Sequence, residues 1–284
     1  MSLPTESNPQ IGGGQGSNLQ RRVASALVLA PIALAAIWFG GALFGLFVGL
    51  AAMIVLFEWL RMALSGLGLL ELAGFLGQFV VVILALFAGN GAAEIALAVL
   101  IAAAALAALL GAASWWLVGG LAYSGLPLVS LLALREDQDW GFAAVILVAV
   151  VVWATDIAAY FCGRAIGGPK LWPAVSPKKT WAGAIGGALA AVASAMVVAS
   201  VLGFPNIAAI AAIAAALSIG AQGGDLLESS IKRHFGAKDS GDIIPGHGGI
   251  MDRVDGLIAA SVLAALIGFA HMPAARIAAG LVVW

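Results

Sequence analysis

An all-α bundle of about nine membrane-spanning helices, with a cytoplasmic N-terminus, is the fold class predicted by this 284-residue sequence. Three observations predict it. The chain is 63% hydrophobic and 10% charged, with a mean hydropathy of +1.08. A soluble domain carries roughly 25% charged residues, so this inventory cannot cover a water-facing surface. Long apolar runs recur, such as AEIALAVLIAAAALAALL at 93–110, and they lack the polar/apolar alternation of a membrane β-barrel. Basic residues, finally, gather in alternate loops.

The elements follow in order. Residues 1–20 are polar and rich in Gly, Ser and Asn, and read as a disordered tail. Arg21 and Arg22 precede an apolar run that reads as an uncleaved first helix and not a signal peptide. Spans are expected at about 23–40, 42–61, 73–89, 93–112, 114–134, 141–163, 182–203, 206–228 and 250–271. The N-terminal helices (21–140) thus precede a C-terminal region (141–271) that carries two long loops, about 164–181 and 229–249, and a tail at 272–284. With the N-terminus in the cytoplasm, Arg21, Arg22, Arg61, Arg164, Lys170, Lys178, Lys179, Lys232, Arg233, Lys238 and Arg253 fall at that face, leaving only Arg135 and Arg276 outside. Glu58, Arg61 and Glu94 read as helix-end residues at the membrane interface. Net charge is −1, which gives no pull on nucleic acid, and a lone Cys162 rules out an intrachain disulfide or a cysteine metal cluster.

Chemistry concentrates in the second half. If the eighth span continues through GGDLLESSIKR (223–233), Asp225, Glu228, Ser229 and Lys232 share one helix face. Asp252 and Asp255 open the ninth span one turn apart. Acids at a helix end often serve only as ion-pair partners, but four at two adjacent ends beside a basic, Gly-rich loop suit a hard cation such as Mg²⁺ together with phosphates. Lys232, Arg233 and Lys238 are the loop's cations, and Gly248 and Gly249 lead backbone N–H groups into a helix start where an anion is expected. His247 is a candidate phosphate donor or acid/base. Ser176, Lys178, Lys179 and Thr180 offer further anion contacts, and Asp156 lies within the sixth span. The residues alone therefore point to a metal-plus-phosphate site at the cytoplasmic rim of the bilayer, suited to phosphoryl or nucleotidyl transfer onto a lipid. An ion- or proton-coupled secondary transporter is the alternative, since intramembrane acids and Gly-broken helices mark those proteins too.

The stretch SSIKRHFGAKDSGDIIPGHGGIMDRVDG resembles the hallmark motif of the phosphatidate cytidylyltransferases, also called CDP-diacylglycerol synthases. Ser229, Ile231, Lys232, Arg233, Lys238, Asp239, Gly241, Ile244, Pro245, Gly246, His247, Gly248, Gly249, Ile250, Asp252, Arg253 and Asp255 meet its spacing without a gap. TDIAAYFCGRAIGG and SPKKTWAGAIGG look like two further family segments, except that Ala182 stands where the family often has Glu. The resemblance covers roughly residues 150–260. It implies transfer of a cytidylyl group from CTP to phosphatidic acid with Mg²⁺ and room for a second cation. It also implies a bacterial inner membrane and a cytoplasm-facing site, and leaves room for a homodimer. Asp225 and Asp252 are the implied metal ligands, with Asp255 and Asp156 beside them. Lys232, Arg233, His247 and Arg253 join Asp225 and Asp252 as implied catalytic groups. Ser176, Lys178, Lys179, Thr180, Lys238, Gly248 and Gly249 complete the implied substrate contacts.

Overall fold

The computed structural model describes residues 30–63, 68–87, 91–109, 115–241, 248–272 and 276–284. Helix appears in each of the nine expected segments: α1 (Ala30–Phe39), α2 (Gly41–Ala63), α3 (Leu69–Phe87), α4 (Ala92–Leu109), α5 (Trp115–Glu136), α6 (Gly141–Ile166), α7 (Trp181–Leu202), α8 (Ile207–His234) and α9 (Met251–His271). A short α10 (Ile277–Val282) follows. Among the described residues six helices, α2 and α5 to α9, are long and apolar enough to cross a membrane. The chain is an all-α integral membrane protein.

Two features depart from the sequence expectation. The segment between α6 and α7 contains an antiparallel hairpin, β1 (Lys170–Trp172) and β2 (Ser176–Thr180), with Lys170 opposite Thr180 and Trp172 opposite Ser176. Gly167 and Gly168, at φ 69° and 88°, turn the chain out of α6 into it, a conformation that side chains with a Cβ resist. The other departure is α8, which runs to His234, six residues beyond the expected end near 228. Lys232, Arg233 and His234 complement the carbonyl end of that helix, and Lys232 pairs with Glu228 one turn earlier.

Small residues set the packing of the C-terminal helices. On α7, Gly183, Gly187, Ala191, Ala195 and Ala199 form the buried stripe, every fourth residue. A Cβ at Gly187 would lie 2.8 Å from the Thr155 carbonyl oxygen, so α6 and α7 meet almost backbone to backbone. A second close crossing occurs at Gly224, where a Cβ would sit 2.7 Å from the Asp255 carbonyl oxygen. That approach of α8 to α9 brings their acids to one level. Between α6 and α8, Thr155 Oγ1 donates to Ser218 Oγ at 2.8 Å, and Gln222 Nε2 donates to Ser218 Oγ and Ala184 O. A polar seam thus runs through an apolar core, its members bonded to one another within the bundle.

The two ends of the bundle differ. At one, the REDQDW loop is a clasp: Arg135 donates to the Ile37 and Trp38 carbonyls of α1, and Glu136 accepts from Ala93 N at the start of α4. Asp137 accepts from Trp140 N ahead of α6 and from Ala279 N in α10. The opposite end gathers the C-termini of α2, α6 and α8, the hairpin and the N-terminus of α9.

Candidate active site

Three carboxylates stand at the centre of that second end. Asp225 and Glu228 of α8 and Asp255 of α9 each offer an oxygen, all within 4.8 Å of one another. Helical spacing puts the first two on one face of α8, and the glycine crossing supplies the third. Glu228 is 1% exposed, and its Oε1 has no hydrogen-bond partner among the described residues. A buried carboxylate oxygen left unpaired is costly. An all-oxygen donor set with one such orphan fits a hard divalent cation, Mg²⁺ above a soft transition metal.

Basic groups flank the acids. Lys179, delivered by β2, forms an ion pair with Asp225, and Ser229 Oγ donates to the same carboxylate at 3.5 Å. Lys232 is nearly buried and bridges two acids, reaching Glu228 Oε2 at 2.7 Å and Asp252 Oδ1 at 2.5 Å. Asp156, on α6, is electrostatically close to Asp225 and Lys179, and Asp255 is close to Asp225, Asp156 and Lys179. Five elements therefore converge: α6, β2, α8, α9 and, through one more acid, α2.

That further acid is Glu58. The sequence placed it at the membrane interface, but the structure buries it to 1% exposure at the head of α9. Its carboxylate accepts from Ile250 N at 2.9 Å, Met251 N at 2.8 Å and Ser240 Oγ at 2.9 Å. α9 has no side-chain cap of its own, and Glu58 supplies one from 192 residues earlier in the chain. A buried acid in an otherwise apolar helix was the available signal, and hydropathy alone could not distinguish rim from interior.

The expected anion cradle at Gly248 and Gly249 meets a different arrangement. Gly249 N donates to Asp252 Oδ2 at 3.0 Å, and Ser240 N reaches both Asp252 oxygens. With Ile250 and Met251 given to Glu58, these four N–H groups serve protein carboxylates. Asp252 is not one of the three acids within 4.8 Å of one another but adjoins them through Lys232, which it shares with Glu228, and it holds the chain ahead of α9. Gly248 has φ 82° and packs near the Asp252 carboxylate.

The remaining candidates are placed as follows. Thr180 is buried and caps α7, its Oγ1 accepting from Gly183 N at 3.1 Å. Arg233 donates from Nη1 to Ala237 O at 2.9 Å, closing the end of α8. Lys178, Lys238 and Arg253 are exposed, and Ser176 is half-buried on β2. His247, like Ile244, Pro245, Gly246, Arg21 and Arg22, lies outside the described residues.

Similarity to known proteins agrees with this geometry. The profile of the cytidylyltransferase family matches residues 20–270. A phosphatidate cytidylyltransferase of Brucella suis biovar 1 is 45% identical over 253 residues, which is 89% of this chain and 94% of the relative. One from Brucella abortus biovar 1 is 44% identical over the same shares. The Bacillus subtilis protein of that name is 40% identical over 137 residues, 48% of this chain and 51% of its own. Acid cluster, flanking lysines and near full-length similarity coincide, and the chain belongs to the cytidylyltransferase family.

Proposed function

We propose that this chain transfers a cytidylyl group from CTP to phosphatidic acid, releasing pyrophosphate and forming CDP-diacylglycerol. One observation carries the reading: three carboxylates within 4.8 Å, one with an unpaired buried oxygen, stand between Lys179 and Lys232 at the end of a membrane bundle. In the reaction a phosphate oxygen of the lipid forms a bond to the α-phosphorus of CTP, and the bond to the bridging oxygen of the β-phosphate breaks. That nucleophile is already anionic near neutral pH, so catalysis consists of positioning and charge neutralisation.

Asp225, Glu228 and Asp255 would hold the divalent cation, with Asp156 adding negative field and a second cation left open. Bound there, Mg²⁺ supplies concentrated positive charge to phosphate oxygens. Lys179 and Lys232 are held among acids and are positioned to meet phosphate as it arrives, and exposed Lys178 and Lys238 extend the basic rim. Asp252 fixes the direction of Lys232.

Incubation of the purified protein with phosphatidic acid, Mg²⁺ and CTP labelled in the cytosine ring tests this. Label should enter the organic phase only when phosphatidate is present, vanish with EDTA and return with Mg²⁺. No lipid-bound label from folded protein would overturn the assignment and favour the transporter reading.

The bias of Lys and Arg supports a reading in which this end of the bundle faces the cytoplasm, where CTP is, with about nine spans and a cytoplasmic N-terminus. A bacterial inner membrane fits the bacterial relatives. In a Cys162→Ala background, a cysteine replacing Lys178 should react with a membrane-impermeant maleimide only in inverted vesicles. Reaction in right-side-out vesicles alone would reverse the topology.

A further inference from the structure

Beside the acid cluster runs a groove of about 500 Å³ between α5, α8 and α9. Its described lining is apolar, including Leu126, Leu227, Val262 and Leu266, with two exceptions. One is the Trp59 indole, whose N–H is already donated to Trp116 O at 2.7 Å. The other is Tyr123, whose hydroxyl is buried and has no hydrogen-bond partner among the described residues.

Helical register ties this groove to the acids. On α9, Ala259, Val262 and Leu266 line it, and Asp255 lies one turn above Ala259 on the same stripe. On α8, the lining residues Leu227 and Ile231 bracket Glu228. Tyr123 shares the groove wall with Gly224 and Leu227, the sequence neighbours of Asp225 and Glu228. The groove therefore opens beside the acid cluster and descends along apolar helix faces, and among the described residues Tyr123 Oη is the polar atom of its wall left without a partner. Two buried polar atoms lack a hydrogen-bond partner among the described residues on either side of this boundary, Tyr123 Oη on the groove wall and Glu228 Oε1 in the acid cluster.

We infer that this groove seats the acyl-glycerol body of the lipid substrate and that the Tyr123 hydroxyl donates a hydrogen bond to the lipid's polar end. The inference rests on the proposed lipid-phosphate acceptor and adds where that acceptor lies. A diacyl phosphate has the matching shape: apolar chains below and an anionic oxygen cluster above. It reaches the cation-binding acids with its phosphate while its chains stay at membrane depth. The Tyr123 O–H, buried and lacking a protein acceptor, gains one only when the lipid is in place. Glu228 would then sit between the cation and the lipid head.

The test uses the full-length protein in detergent with phosphatidate carrying a diazirine midway along one acyl chain. Peptides containing 119–127 and 258–266 should be photolabelled, in competition with unlabelled phosphatidate, at least about tenfold more than by phosphatidylcholine with the same chains. Equal labelling by the two lipids would make the groove a general lipid contact and overturn the inference. In kinetics, Tyr123→Phe should raise KM for dioleoyl phosphatidate about tenfold and leave KM for CTP unchanged. Val262→Trp should raise the KM for dioleoyl phosphatidate several-fold more than the KM for dihexanoyl phosphatidate, whose chains are too short to reach it. Unchanged phosphatidate KM in both variants would also overturn it. A wild-type protein that labels at the groove but transfers no cytidylyl group would defeat the proposed reaction and not the groove.

Discussion

Asp255→Asn should abolish cytidylyl transfer, with a loss of about 10³-fold or more, in a protein that still inserts and purifies as a single species. The expectation follows from where Asp255 stands. It is the only α9 member of the three-acid cluster, beside Asp225, which Lys179 pairs with. Asn keeps the shape and can keep the 2.7 Å bond from Gly256 N to Oδ1, so the change is chiefly one of charge. Asp225→Asn is a less clean experiment, because it also dissolves the ion pair with Lys179 and loosens the hairpin. Asp252→Asn differs again: it weakens the hold on Lys232 and leaves Glu228 as that lysine's remaining partner. Steady-state label transfer on all three, normalised to folded protein, separates the roles. Near-normal turnover in Asp255→Asn would remove that residue from the site.

Glu58→Ala should cost about 3 kcal/mol of stability and most of the activity, although Glu58 is not one of the three clustered acids. The substitution strands the N–H groups of Ile250 and Met251 and the Ser240 hydroxyl around a buried gap. A water admitted to the gap could accept from only part of this donor set and would not bridge α2 to α9. Since Ser240 N and Gly249 N hold Asp252, loosening Ser240 and Ile250 also disturbs the carboxylate that orients Lys232. Glu58→Gln retains an acceptor and should recover part of both losses. Gly249→Ala should resemble Glu58→Ala, because a Cβ there would meet Glu58 Oε2 at 2.5 Å. Thermal unfolding in detergent, followed by intrinsic Trp fluorescence and paired with activity, is the readout. An unchanged midpoint in Glu58→Ala would contradict the capping role.

The helices are legible in the sequence because each apolar run is long, and charge interrupts them mostly at their ends. Asp225, Glu228 and Lys232 are legible because helical spacing alone puts them on one face. Placing Asp255 with them requires the crossing of α8 and α9 at Gly224, a close approach that no periodicity encodes. The exclusion of Asp252 from that trio is equally hidden: its oxygens are taken by Ser240 N, Gly249 N and Lys232, partners set by the path of the loop. Glu58 lies still further from view, since its contacts join α2 to residues more than 180 positions later. The hairpin escapes because three- and five-residue strands with several polar members carry little alternation.

The most direct measurement of the central claim is Mn²⁺ binding by electron paramagnetic resonance, with Mn²⁺ as a spectroscopic substitute for Mg²⁺. Wild-type protein should take up Mn²⁺ in competition with Mg²⁺, Glu228→Gln should weaken that binding, and Asp255→Asn should abolish it in protein of unchanged thermal midpoint. Equal Mn²⁺ binding by wild type and Asp255→Asn would contradict a cation held by Asp225, Glu228 and Asp255.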